Sequence, residues 1–173
     1  MNRTILNNIA RFFGFGLAQV FVLKEMNLWW AGFHYFQIFL YPLFILLLPF
    51  RAPQQLILFL SFVMGIFIDG FYDSMGVHAS ASVFTAALRP WVLAWVAPRG
   101  GYDSKHVPTK AQYGLPWFLR YASILMGIHL LFYFSVESFT FVNPFEIFLK
   151  TVGSGIISMI FIWMTIMILN PKE

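Results

Sequence analysis

Apolar runs about twenty residues long, broken at prolines, glycines and charges, divide the chain into six segments. A helix needs roughly 20 mostly apolar residues to cross about 30 Å of hydrocarbon. On that rule the pattern predicts six membrane-spanning helices, at about 6–23, 28–50, 54–72, 76–97, 118–136 and 145–169. The borders carry turn chemistry. Pro49, Arg51 and Pro53 make a charged corner, and Asp73-Ser74-Met75-Gly76 makes a short turn. Residues 98–117 form the one long polar stretch, and Asn143-Pro144 opens the last segment. Barrel strands would alternate apolar and polar residues over segments of about ten. Runs such as 56–68 and 156–169 are instead apolar on every side.

Composition points the same way. Only 10% of the 173 residues are charged, 60% are hydrophobic, and the mean hydropathy is +0.74. A soluble domain carries about 25% charged residues, so lipid is the solvent this surface requires. The expected fold class is an all-α integral membrane protein, one transmembrane domain over 1–173 in a bundle of about six helices. The first apolar run lacks a small-residue cleavage site, with Lys24-Glu25-Met26 after it, and is expected to be a retained span.

Charge placement sets the orientation. Six spans put both termini on one side. That side receives Arg3, Arg11, Arg51, Arg99, Lys105, Lys110, Arg120 and Lys172, and the other receives only Lys24 and Lys150. Basic residues stay cytoplasmic, so both termini and the 98–117 loop are expected there. Within the loop, Arg99, Lys105 and Lys110 are candidate contacts for cytoplasmic filaments or anionic lipid, besides setting topology. Trp29, Trp30, Trp91, Trp95 and Trp117 fall near span ends and are expected to act as interfacial anchors.

Ionisable residues inside spans are costly and are default functional candidates. Asp69, near the outer end of the third span, is either a functional position or a helix cap beside Gly70 and Asp73. Arg89 precedes Pro90 in the fourth span. It is expected to snorkel to the cytoplasmic headgroups; the alternative is satisfaction of carbonyls freed by a proline kink, with Asp69 a conceivable partner. His78 opens a run of small residues, Ala79 to Ser82, that lets another helix approach closely. The four histidines show no metal-ligand spacing, and no cofactor or metal is expected. Small residues stand four apart at Gly14 and Ala18, Thr151 and Gly155, and Ser154 and Ser158. Gln19, His34, Gln37, His129 and Glu137 either line a cavity or bond between helices. No nucleophile–base pattern or phosphate-binding loop is visible, so no enzyme is expected.

The stretch FVMGIFIDGFYDSMGVHASASVFTAALRP, residues 62–90, resembles the rod shape-determining membrane protein MreD. The match lies in Gly65, Asp69 four later, Gly76 after a short turn, and His78-Ala79 opening a small-residue helix. The preceding YPLFILLLPFR, residues 41–51, resembles the Bacteroidetes type of that family. The resemblance covers roughly 40–90; the Phe-rich composition and the 98–117 loop depart from the family pattern. It implies a fold similar to the substrate-binding subunits of energy-coupling-factor transporters. It also implies a place in the bacterial inner membrane, as a scaffold of cell elongation and lateral peptidoglycan synthesis. The implied partners are the periplasmic coil protein MreC, the actin-like MreB, and RodA with its transpeptidase. A vitamin-binding transporter subunit is the alternative reading.

Overall fold

A computed structural model describes residues 3–26, 28–30, 33–103, 106–138 and 144–169; the side chains of 3, 4, 28–30 and 33–35 are not described. The chain is predominantly helical. Helix α1 runs Arg3–Ala18 and continues through a π-helical turn, Gln19–Leu23. A short hairpin of β1 (Leu28–Trp30) and β2 (Phe33–Phe36) follows, then the five-residue helix α2, Pro42–Leu46. The remaining helices are α3 (Gln54–Tyr72), α4 (Val77–Trp95), α5 (Lys110–Tyr113), α6 (Leu115–Glu137) and α7 (Pro144–Leu169).

Among the described residues, four helical stretches are long and apolar enough to cross a membrane: Ile5–Leu23, Gln54–Tyr72, Leu115–Glu137 and Pro144–Leu169. Their outward faces carry Phe13, Phe21, Phe59, Leu131, Ile156 and Ile168, all exposed, as lipid-facing helices should. Helix α4 equals α3 in length, but its inner face carries His78, Ser82, Thr85 and Arg89.

Residue contacts fix the winding. Asp69 meets His78 and Gln54 meets Ala86, so α3 and α4 are antiparallel. Arg89 meets Tyr121 and Thr85 meets His129, so α4 and α6 are antiparallel too. Lys110 reaches Met167 and Leu130 lies against Gly155, which sets α7 antiparallel to α6. Helices α1 and α3 instead run parallel, because the Lys24 ammonium donates to the Phe71 carbonyl at 2.5 Å near the end of both.

The expected helix over 28–50 is not formed. Its described residues make the two strands of the hairpin, a non-helical stretch 37–40 and α2. The cause is local. Trp, Phe and Tyr crowd the segment and suit a pleated backbone. Pro42 cannot donate and its ring would strike the carbonyl four residues back, at Ile38. Pro49 then ends α2 by disfavouring helix at Leu48. Because α1 and α3 are parallel, this segment still carries the chain from one end of the bundle to the other. It does so through the centre, with every residue from Ile38 to Leu48 buried.

The polar loop also differs from expectation. Helix α6 begins at Leu115, and the preceding residues fold into a cap. Phe50, Tyr102, Tyr113 and Trp117 pack ring against ring, with Phe50 stacked on Tyr102 at 4.7 Å. The Tyr102 hydroxyl donates to Leu93 O at 2.8 Å, and the Trp117 indole donates to Val96 O at 2.8 Å. Trp117 stacks on Tyr121 at 5.3 Å, so it is a packing residue and not only an anchor. Burial pushes the Tyr102 and Tyr113 hydroxyls above the ordinary phenol range. Trp91 and Trp95 are exposed on α4, where interfacial rings belong.

Candidate functional site

A non-helical chain inside a membrane protein must find partners for its backbone away from water. Residues 37–48 find them on four helices. From α1, the Gln19 amide donates to Ile38 O at 2.8 Å and its oxygen accepts from Leu40 N at 2.7 Å. The first of these bonds fills the carbonyl that Pro42 disengages. From α7, Ser158 Oγ accepts from Phe39 N at 2.8 Å and Ser154 Oγ from Gln37 N at 3.0 Å. Two residues of strand rise about 6.7 Å and four residues of helix about 6 Å. Serines four apart on a helix therefore match alternate amides of an extended chain.

Arg89 serves the far end of the segment. Its guanidinium donates to Leu48 O and, at 3.0 Å, to the Tyr121 hydroxyl, which in turn donates to Leu46 O at 3.1 Å. The expectation that Arg89 snorkels is overturned, for the side chain is 2% exposed. It caps the carbonyls at the end of α2, where a cation is favoured. Nor does it fill the carbonyl freed by Pro90. That carbonyl, Ala86 O, accepts from the Gln54 amide at 2.9 Å. Both mid-bundle prolines thus have a glutamine from a neighbouring helix on the oxygen they disengage.

The joint between α3 and α4 is built from the residues of the 62–90 stretch. Asp69 Oδ1 accepts from Ser74 Oγ at 2.7 Å, His78 N at 2.9 Å and His78 Nδ1 at 3.0 Å. Asp69 Oδ2 accepts from Ala79 N at 3.0 Å. A carboxylate on the preceding helix therefore caps the orphan amides of α4, a site that favours negative charge. Gly76 takes φ +83°, a left-handed conformation glycine adopts freely, and turns the chain into α4. Gly65 lies where α3 crosses the start of α4. A Cβ there would stand 2.6 Å from Ala79 N and 2.8 Å from His78 O. Asp69 and Arg89 do not pair: Arg89 lies 11 residues beyond His78, about 16 Å along α4.

Between these ends lies a polar chain in the core. His129 meets the Tyr41 hydroxyl at 2.7 Å and Thr85 Oγ1 at 2.8 Å, and all three residues are fully buried. His78 sits among aromatic rings, 4.8 Å from both Tyr72 and Tyr133. An apolar groove of about 590 Å³ opens sideways between α4 and α6. Phe84, Leu88, Ile128 and Phe132 line it with Ser135 as its polar side chain, so it has little to orient a polar solute.

The other candidates disperse. Arg99 is exposed at the cap and Lys110 reaches the Met167 sulfur at 3.1 Å, while Lys105 and the side chain of His34 lie outside the described residues. Gly14 faces open space on α1, and Glu137 meets the Tyr133 hydroxyl at 3.4 Å. The sequence pattern did not single out Gln54, Tyr41, Tyr121 or Thr85; for Gln54 the signal was Pro90, whose disengaged carbonyl needed a donor. Comparison with protein-family models, curated proteins and solved structures gives no match to this chain.

Proposed function

We propose that this chain is a multi-pass scaffold of the bacterial inner membrane, of the MreD type, acting in cell elongation through protein contacts and without chemistry of its own. The observation that carries the proposal is the joint between α3 and α4. Gly65, Asp69, Gly76, His78 and Ala79, the residues that carry the resemblance, meet in one interlocked hairpin. Each has a role in holding two helices and their turn in a fixed relation, which is what a docking surface needs. Met75 at its tip is fully exposed and would face periplasmic partners.

In this reading the chain makes six passes, five of them as long helices and one as the broken segment. Both ends of the described chain then lie on the side of Arg51, Arg99, Lys110 and Arg120, which the positive-inside rule assigns to the cytoplasm. MreC-like and RodA-like proteins would meet the outer turn and the lipid-facing helices, and an MreB-like filament the basic cap.

The broken crossing favours a second reading. Interrupted helices at mid-depth line the binding sites of many transporters, so a vitamin-binding subunit is conceivable. Against it, Gln19, Arg89, Ser154 and Ser158 are occupied by the segment's own backbone. Depletion in a rod-shaped host separates the two. Rounded cells support the scaffold; normal shape with lost vitamin uptake supports the transporter subunit and removes the scaffold reading.

A further inference from the structure

The groove between α4 and α6 has walls of one kind and ends of two kinds. Phe84 and Leu88 form one wall, and Ile128, Leu131 and Phe132 the other, around about 590 Å³. The Phe84 and Phe132 rings stack at 4.2 Å and brace the two helices. Ser135 donates its proton to Leu131 O at 2.6 Å, so its hydroxyl is already used. A polar occupant would lose its water and find no partner, whereas apolar surface fits.

The ends differ in charge. On α4, Trp91 and Trp95 continue the face of Phe84 and Leu88, and both are exposed. On α6, Arg120 lies eight residues before Ile128 and eleven before Leu131, on the same side of the helix. It is exposed and enters no ion pair among the described residues. Arg89 bonds Tyr121 at 3.0 Å, which brings the helices level here, so Trp91 and Arg120 stand at the same end of the groove. The opposite end runs out at Ser135 and Val136, one residue before Glu137, and no basic side chain lines it. A negative group is therefore favoured at the Arg120 end.

We infer that the groove seats an acyl chain of an anionic phospholipid whose phosphate lies on Arg120, in the leaflet of the basic cap. The length agrees. Eleven residues from Arg120 to Leu131 rise about 16 Å, and one leaflet supplies about 15 Å of hydrocarbon. Indole rings suit the headgroup level, and basic pockets between helices on the cytoplasmic side bind anionic headgroups. A partner's membrane-spanning helix fits less well. Helices approach closely over small residues, and these walls are Phe, Leu and Ile. A flexible chain threads between such side chains where a helix backbone is held off. The inference rests on the winding proposed above and not on the scaffold role.

Native mass spectrometry of the full chain tests it. The protein is extracted into mild detergent and supplied with equal amounts of phosphatidylglycerol and phosphatidylcholine carrying the same chains. Phosphatidylglycerol should be retained several-fold over phosphatidylcholine. Arg120→Gln should abolish that preference, and Arg51→Gln, the same charge change at another exposed corner, should keep it. Leu131→Trp fills the groove from a half-exposed position and leaves Arg120 in place, so it should cut phosphatidylglycerol retention several-fold. No preference in the wild type, or one that survives Arg120→Gln or Leu131→Trp, overturns the inference. So does an equal loss in Arg51→Gln, which assigns the effect to the basic surface at large, or a partner's helix held in the groove in place of lipid. Rounded cells on depletion without a lipid preference would remove this inference and leave the scaffold; a lipid preference with normal cell shape would do the reverse.

Discussion

Gln19→Leu tests whether side chains hold the broken crossing in place. The substitution keeps roughly the same volume and adds no charge, so packing changes little. What it removes is specific: the donor to Ile38 O at 2.8 Å, the acceptor for Leu40 N at 2.7 Å, and a bond to the Tyr72 hydroxyl at 2.8 Å. Two rules give different magnitudes. Hydrogen bonds between membrane helices average about 0.6 kcal/mol, because the separated helices find other partners. A buried polar group left without a partner costs about 1–3 kcal/mol. The second applies, since Ile38 O and Leu40 N are main-chain groups of a non-helical stretch with no helix to take them up. Two orphans sum to about 2–6 kcal/mol. Relief from burying the Gln19 amide offsets about 0.5–2 kcal/mol, so a net loss of about 2–4 kcal/mol is expected. Tyr72→Phe is the control. It removes the side-chain bond and leaves the segment's backbone paired, so it should cost about 0.6 kcal/mol. Denaturation in mixed micelles, followed by tryptophan fluorescence, measures both. Hydrogen exchange at residues 38–41 should rise sharply in Gln19→Leu and stay slow in Tyr72→Phe. Equal, small effects of the two variants with unchanged exchange would refute the reasoning.

Gly65→Ala should destabilise by several kcal/mol, because the added methyl meets the Ala79 and His78 backbone and not a side chain that can turn away; Gly70→Ala, with nothing within 4 Å, should be tolerated in the same thermal assay. Asp69→Ala removes four accepted bonds and should cost at least the ~0.5–2 kcal/mol of a lost cap. Asp69→Asn should cost less if its oxygen takes the Oδ1 position; a larger loss for Asn would contradict the capping role. Cysteines placed at Met75 and Ala111, both exposed, should react with an impermeant maleimide from opposite sides, Met75→Cys from the periplasm and Ala111→Cys from the cytoplasm. Labelling of both from one side would overturn the winding proposed for the membrane.

The long apolar helices were legible in the sequence, and the reason is the solvent. In hydrocarbon a helix satisfies its own backbone within four residues, so a local run of about 20 apolar residues carries the information. The borders 54–72 agree with α3, and 76–97, 118–136 and 145–169 lie within three residues of α4, α6 and α7. The segment 28–50 was apolar enough to pass the same test, yet its fate depended on residues far along the chain. Gln19, Arg89, Tyr121, Ser154 and Ser158 each reach its backbone from between 19 and 119 positions away. Hydropathy records how much a residue dislikes water; it does not record which backbone groups it will meet. Only when four helices close around the segment do those polar side chains become its hydrogen-bond partners. The same closure turned Arg89 inward and set Asp69 on the amides of the next helix.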